Sequence, residues 1–320
     1  MVKVAVAGGS GQVAREVIDA LVAAGKHKIT VLSRSKASPD GTVALGVGWR
    51  VVDYSDTGAL VEALRGTHTL LSFVQLLSDP GCQSQKNLID ACVTAGVKRF
   101  APSEYGYGSV GSVNLPFWKG KEAVREYLKE VNEKEKVLEY TLFMPGLFLD
   151  YLATPYQTAK HIAPLDLIFD YQNCRQFMVE GHEDAIVTLT TAADTAAIVA
   201  RAVDHDGEWP VNGGIRGNRV TFSQIVKLGE KVRGRPFTIN KVKLEDLQAG
   251  VLKTPWILAR KHSAVSDEQA PEFSTAVPIG MMLTSVSGAW DVGDEFNRLF
   301  PDYQFTQMEP FLANVWEGKP

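Results

Sequence analysis

Residues 3–14 read KVAVAGGSGQVA, and this short run constrains the fold more than any other part of the chain. KVAVAG packs small and β-branched residues together and reads as a buried strand over 3–8. Val13, Val17, Leu21 and Ala24 then recur at helical spacing, so a helix is expected over 13–24. Between strand and helix, Gly8, Gly11 and Ala14 form the pattern G-x-x-G-x-x-A. Gly8 permits a tight turn, Gly11 lets the main chain approach a pyrophosphate, and Ala14 allows helix and strand to pack closely. The N–H groups of Ser10, Gly11, Gln12 and Val13 would face phosphates at the positive end of the helix. Glycine-rich turns are common, so the strand-loop-helix context is what makes dinucleotide binding the better reading.

The alternation continues downstream. Strands are expected over 28–34, 49–55, 68–73, 97–103 and 139–145, with helices over 57–64, 83–95 and 117–131; Gly25 and Gly96 close two of the helices. This is the pattern of an α/β fold, a Rossmann-like doubly wound parallel sheet. Beyond residue 150 the order is looser. Residues 151–166 hold Pro155 and Pro164 and read as loop and short helix. Helices are expected over 190–203 and 221–234, a strand over 236–242, and the start of another helix at 244–247. The C-terminal part, with Pro255, Pro271, Pro278, Pro301 and Pro310, reads as loops and short helices. The expected division is a cofactor-binding Rossmann domain over 1–150 and a smaller α/β substrate-binding domain over 151–320. Parts of 182–220, such as 209–213, are expected to return to the first domain.

The end of the second strand sharpens the cofactor. A carboxylate there would favour NAD, whereas a basic residue suits the extra phosphate of NADP. The strand ends in Leu32-Ser33-Arg34-Ser35-Lys36, with no acid before Asp40. Arg34 can clamp a phosphate through its planar fork, so NADPH/NADP is the expected cofactor. Asp53, followed by Tyr54, ends the third strand where a Rossmann domain meets adenine, although a polar strand end before a helix cap at Asp56 explains it nearly as well. Phe73 closes the fourth strand over the expected crevice, or serves as plain core.

On the helix expected from 117, Phe117, Val124, Leu128 and Val131 share one stripe with Lys121 at its edge. Lys119 falls almost opposite, among Glu122, Glu126 and Lys129. Of the two lysines, Lys121 should therefore point toward the sheet. A lysine laying its stem on apolar surface would fit the same spacing.

Composition narrows the partners. Thirty-three basic and 37 acidic residues leave a net charge of -4, no footprint for nucleic acid or an anionic membrane. No apolar run reaches the roughly 20 residues of a membrane span, and the first residues already read as a strand. Three cysteines, Cys82, Cys92 and Cys174, are too few and scattered for a disulfide framework, which points to a reducing, cytoplasmic setting. The six histidines show no metal spacing, so no metal is expected.

VAVAGGSGQVA, VLSRS, VVDYSD, QSQKNLIDACVTAGVKRFAPSEYG (83–106) and KGKEAVREYL (119–128) together resemble the NmrA-like family. They are most similar to its isoflavone reductase-like branch, within the atypical short-chain dehydrogenase/reductases. The resemblance covers most of the first 150 residues and continues more faintly through TTAADTAAIVARAV and FNRLFPDY (296–303). It implies an NADP-binding domain, a smaller substrate domain with a pocket in the cleft between them, and a functional lysine at Lys121. Typical short-chain dehydrogenases carry Y-x-x-x-K; here the pattern is Phe117-x-x-x-Lys121, so that hydroxyl is absent.

The implied activity is hydride transfer from NADPH to an aromatic or polyketide-like small molecule, at a ketone, a conjugated alkene or a quinone-methide-like centre. Lys121 would bind the nicotinamide ribose and stabilise charge on substrate oxygen. The proton would come from water, from Lys121, or from Tyr105 or Tyr151. Ser103 and Glu104 are pocket candidates, and Gly146, Leu147 and Phe148, with Tyr151, are expected to line an apolar wall. Two other readings stay open: a non-catalytic NADP(H)-sensing regulator, and an isomerase or dehydratase on the same fold. The sequence is also compatible with a homodimer.

Overall fold

The computed structural model describes residues 1–35, 46–76, 79–108, 119–259 and 265–320. Contacts divide the chain into two units. One comprises Met1–Tyr105, Pro116–Phe143 and Thr195–Gly213; the other comprises Gly106–Leu115, Met144–Asp194 and Gly214–Pro320.

The first unit is built on β1 (Lys3–Ala7), α1 (Gln12–Ala24), β2 (Lys28–Ser33), β3 (Gly48–Val51), α2 (Thr57–Leu64), β4 (Thr69–Ser72), α3 (Gln83–Ala95), β5 (Arg99–Ala101), α4 (Lys119–Val131) and β6 (Glu139–Tyr140). The six strands form one parallel sheet in the order β3-β2-β1-β4-β5-β6. From β1 the chain winds outward to β3, then crosses to β4 and winds outward the other way. That reversal between β1 and β4 is the switch point beyond which ligands of open α/β sheets bind.

Alternation along β1 explains why both sheet faces are covered. Ala5 and Ala7 share a core with Leu60 and Leu64 of α2, Leu88 and Cys92 of α3, and Val124 and Leu128 of α4. Val4 and Val6 point the other way and are equally buried. A strand buried on both faces reads as a continuous apolar run, as KVAVA does. Gly25 and Gly96, both left-handed, end α1 and α3.

The single strand expected over 139–145 is broken in two. β6 stays in the sheet beside β5, whereas β7 (Leu142–Met144) leaves it. Thr141 Oγ1 donates to Pro210 O at 2.6 Å and Leu142 N donates to Val211 O at 2.9 Å. Those bonds draw the chain away from the sheet. The segment they reach follows α5 (Ala192–Asp204), and its buried Trp209 donates its indole N–H to Ala202 O at 2.7 Å. Arg99 reinforces the join by donating to His205 O and Gly207 O.

The second unit contains β8 (Leu147–Phe148), β9 (Phe169–Asp170), β10 (Arg175–Val179) and β11 (Ile186–Thr190). After β12 (Asn212–Gly214), at the unit boundary, come β13 (Asn218–Thr221), α6 (Phe222–Arg233), β14 (Thr238–Val242), α7 (Leu244–Gln248), α8 (Ala270–Val286), α9 (Glu295–Leu299) and α10 (Met308–Trp316). Two small mixed sheets result, β13-β11-β8 and β14-β10-β9. Thr221 and Gln224 form a reciprocal capping box at the start of α6. α8 is a 17-residue helix where the prolines suggest loops and short helices. Pro271 sits in its first turn, where no N–H bond is lost, and Pro278 is buried beside Ile279, Met281 and Met282. Burial of that apolar stretch outweighs the bond that Pro278 removes. Asp194, also buried, accepts from Tyr303 Oη at 2.8 Å and Thr306 N at 3.0 Å, which ties the C-terminal segment to the α5 end.

Candidate functional site

The carboxyl end of β1 runs into a loop that only glycine can make. Gly8 has φ of 72°, and a Cβ on it would stand 2.7 Å from the Phe73 carbonyl carbon and oxygen. A Cβ on Gly9 would meet the Val31 side chain at 2.7 Å. Gly11 N donates to Gly8 O at 3.0 Å, which tightens the turn, and Gly11 is itself the N-cap of α1. That helix start carries no side-chain cap and no acid in its first turn, while Ser10 and Gly11 are exposed. Gln12 and Val13 begin the helix, and Ala14 is fully buried against the sheet side. A helix start without a side-chain cap is the kind of place where an anion can be received.

Arg34 lies just beyond the end of β2, exposed, on the same edge of the sheet. Ser33 and Ser35 join hydroxyls at 3.0 Å across it. Asp53 is exposed and turned onto its own chain: its Oδ1 accepts from Ser55 N at 2.8 Å and from Ser55 Oγ at 2.7 Å. Those bonds hold its carboxyl below the usual range. Tyr54 has a different place. It is buried, its Oη donates to Leu32 O at 2.8 Å, and it accepts from Gly8 N at 2.9 Å. Asn87 of α3 donates to the Tyr54 carbonyl at 2.8 Å. Tyr54 is thus a strut beneath the glycine turn. Sequence reasoning noticed the Asp53-Tyr54 pair and missed this role, because nothing local shows that the phenol reaches back to β2.

Phe73 and the segment following β5 occupy the neighbouring positions. Phe73 N donates to Ala7 O at 2.8 Å, and the Phe73 ring stacks on Tyr105 with centroids 4.4 Å apart. Tyr105 has φ of 39°, and its other face looks toward Phe143 at 6.1 Å. Its hydroxyl is buried without a hydrogen-bond partner, and burial pushes its pKa well above the normal phenol value. Ser103 N donates to the side chain of buried Gln85 at 2.8 Å, which pins this turn to α3.

Lys121 is buried in the first turn of α4 on the same face as Val124 and Leu128, while Glu122, Glu126 and Lys129 are exposed. Its ammonium donates to Glu104 O. Burial lowers its pKa from 10.5 to about 8, against an opposing pull from Glu104 and with a further lowering by Arg125. Both carboxylate oxygens of buried Glu104 are held by Arg125, so Glu104 braces the turn through side-chain and carbonyl bonds. Arg125 was overlooked in the sequence; its signal is the position four residues after Lys121. Gly120 allows the close packing here, since a Cβ on it would meet Cys82 Sγ at 2.4 Å. Lys36, Asp40 and Phe117 lie outside the described residues, as does the Lys119 side chain.

Gly8, Ser10, Gly11, Gln12, Val13, Arg34, Asp53, Phe73, Ser103, Glu104, Tyr105 and Lys121 all belong to the first unit. Gly146, Leu147, Phe148 and Tyr151 belong to the second. Gly146 has φ of 75°, and a Cβ there would stand 2.2 Å from Thr188 O. Leu147 and Phe148 form β8 beside β11, and the Phe148 ring meets Tyr151 edge-on at 5.8 Å. Burial raises the Tyr151 phenol, helped by neighbouring Asp150. Among the described residues no cluster could hold a metal ion, and no helix is long and apolar enough to cross a membrane.

Comparison with known proteins places this geometry. The model of the NmrA-like family matches residues 2–312. Oxidoreductase swnN of Metarhizium robertsii is 29% identical, with 100% of this chain and 98% of that protein aligned. The NADPH-dependent quinone oxidoreductase QOR2 of Escherichia coli, solved with NADPH, shares the fold with a TM-score of 0.70 and 20% identity, covering 98% and 99% of the two chains. Isoflavone reductase shares it with a TM-score of 0.67 and 20% identity, covering 98% of each chain.

Proposed function

The chain belongs to the NmrA-like family, and from that membership we propose that it is an NADPH-dependent reductase acting on an aromatic or polyketide-like small molecule. The observation that carries the reading is Lys121: a buried ammonium, held on the turn that follows β5, on the same sheet edge as the glycine loop and Arg34. Desolvated titratable groups with shifted pKa cluster at functional sites, which supports this reading. The relatives support the reaction class, one being named an oxidoreductase and another a quinone oxidoreductase bound to NADPH.

The residues present fit the cofactor. The glycine turn leaves space that a Cβ would fill, the first turn of α1 offers uncapped N–H groups, and Arg34 supplies a cation for a ribose phosphate. Asp53, turned onto Ser55, enters as a neighbour of the adenine position rather than a ribose ligand. NADPH, when bound, supplies the hydride. Phe73 and the stacked Tyr105 give that end of the crevice an apolar floor. Lys121 holds positive charge where substrate oxygen becomes negative, a stabilisation strongest in a water-poor site. Tyr105 offers an unpartnered hydroxyl for the acceptor; its raised pKa makes it a hydrogen-bond donor before it is an acid. Leu147, Phe148 and Tyr151 of the second unit are proposed as apolar contacts for the acceptor, and that unit as the substrate domain.

Fluorescence titration with NADPH and NADH, followed by NADPH consumption with a panel of quinones and aryl-conjugated ketones, tests the proposal. Tighter binding of NADPH with turnover of at least one acceptor class supports it. Equal affinity for both cofactors, or tight NADPH binding with no acceptor consumed, counts against it.

A further inference from the structure

Lys121 and Arg125 stand one helical turn apart on α4, and both close on a single residue of another element. Lys121 Nζ donates to the main-chain carbonyl of Glu104. Arg125 donates from Nε to Oε1 at 2.9 Å and from Nη2 to Oε2 at 2.6 Å. The Glu104 side chain is 1% exposed and that of Arg125 is 9%. Glu104 is therefore gripped at both ends by one helix face. Tyr105, the next residue, has a left-handed φ of 39°. A buried ion pair adds little net stability, because desolvation offsets the attraction, so its value lies in fixing geometry.

The pair also frames the lysine electrically. Glu104 draws the ammonium toward its charged form, and Arg125 opposes it. On the short turn packed against α4, Asp79 accepts from Ser84 N, and Cys82 lies under Gly120. Among the described residues, Glu104 and Arg125 are charges that bear on Lys121, in opposite directions.

We propose that Glu104 is a positioning residue for Lys121: its carbonyl aims the ammonium, and its carboxylate, anchored at both oxygens by Arg125, sets a negative charge near the ammonium that outweighs the opposing guanidinium. The proposal rests on the reading of Lys121 as the charged group at the reacting centre. It assigns Glu104 no contact with substrate.

The test is a pH titration of the Lys121 side-chain resonance in full-length protein carrying isotope-labelled lysine, assigned with Lys121→Arg. It needs neither cofactor nor turnover. In Glu104→Gln the attracting charge is gone while Arg125 remains, so the titration should move down by at least about one pH unit. In Glu104→Gln/Arg125→Met both charges are gone, and most of that displacement should be recovered. Glu104→Asp keeps the charge and should titrate close to wild type, which keeps the test alive if Glu104→Gln does not fold. An unmoved titration in Glu104→Gln, a double variant displaced further downward, or an Asp variant that falls as a neutral one would overturn the proposal. A merely structural brace would lower unfolding temperatures without this pattern of shift and recovery. Undiminished NADPH oxidation by Lys121→Ala would instead remove the reactive role of the lysine and leave the titration result standing.

Discussion

Removing one hydroxyl, in Tyr54→Phe, should loosen the glycine turn without touching any group that meets a ligand. Tyr54 Oη bridges Leu32 O at 2.8 Å and Gly8 N at 2.9 Å, in a residue 6% exposed. Only a neutral phenol can donate to one partner while accepting from the other. The phenol is neutral at ordinary pH, and burial extends that range by raising its pKa to about 12 against smaller opposing effects of the Gly8 bond and Arg34. Gly8 N also reaches Leu32 O at 3.1 Å, so the variant loses nearer one bond than two. That is about 1 kcal/mol, or a fall in Tm of roughly 1–2 °C for a chain of 320 residues. If the loosened turn must be re-formed on binding, NADPH affinity should fall by up to about fivefold. Thermal unfolding with and without NADPH, together with fluorescence titration, reads both effects. A variant with wild-type Tm and wild-type affinity would refute the strut. A lower Tm with unchanged affinity would show that the bond stabilises the fold but not the loop.

Two substitutions probe the charges of the same edge. Arg34→Ala should weaken NADPH binding by roughly tenfold to a hundredfold, the worth of charge-assisted hydrogen bonds, and leave NADH nearly unchanged; paired titrations of the two cofactors check this. Lys121→Met should raise stability near neutrality, because the buried lysine is charged in both folded and unfolded chains below about pH 8 and its burial penalty is then fully present. Between about 8 and 10.5 the unfolded chain holds the proton and the folded one does not, so wild type gains stability with rising pH and the advantage of Met disappears. The difference is on the order of 3 kcal/mol before lost contacts, and unfolding curves near neutral and near pH 10.5 would show it.

The first half of the fold was legible because periodicity and punctuation agree there. Gly25 and Gly96 end helices that begin and stop within a residue or so of the expected bounds. The helix over 57–64 is capped by Asp56, whose side chain accepts from Ala59 N. Legibility failed where tertiary partners decide. The expected strand breaks at Thr141 because Pro210 and Val211, some 70 residues away, accept from the Thr141 hydroxyl and the Leu142 N–H. β10 and β11 are short strands whose partners, β14 and β13, come later in the chain. Pro278 advertises a helix end inside a helix that burial sustains. In the site, the wheel separates Lys121 from the exposed face of α4, but it cannot show the ammonium meeting the Glu104 carbonyl. That bond, like the Arg125 grip and the Tyr54 strut, exists only once the strands are side by side.

The chief role proposed for Lys121 is in the reaction, beyond its effect on stability and any contact with the cofactor. The most direct measurement is a stopped-flow single turnover of protein saturated with NADPH, mixed with an accepted quinone or aryl-conjugated ketone, for wild type and Lys121→Ala. The account predicts that the variant still binds NADPH but transfers hydride at least about a hundredfold more slowly, the usual effect of removing one preorganised charge-stabilising donor. Equal single-turnover rates in the two proteins would contradict it.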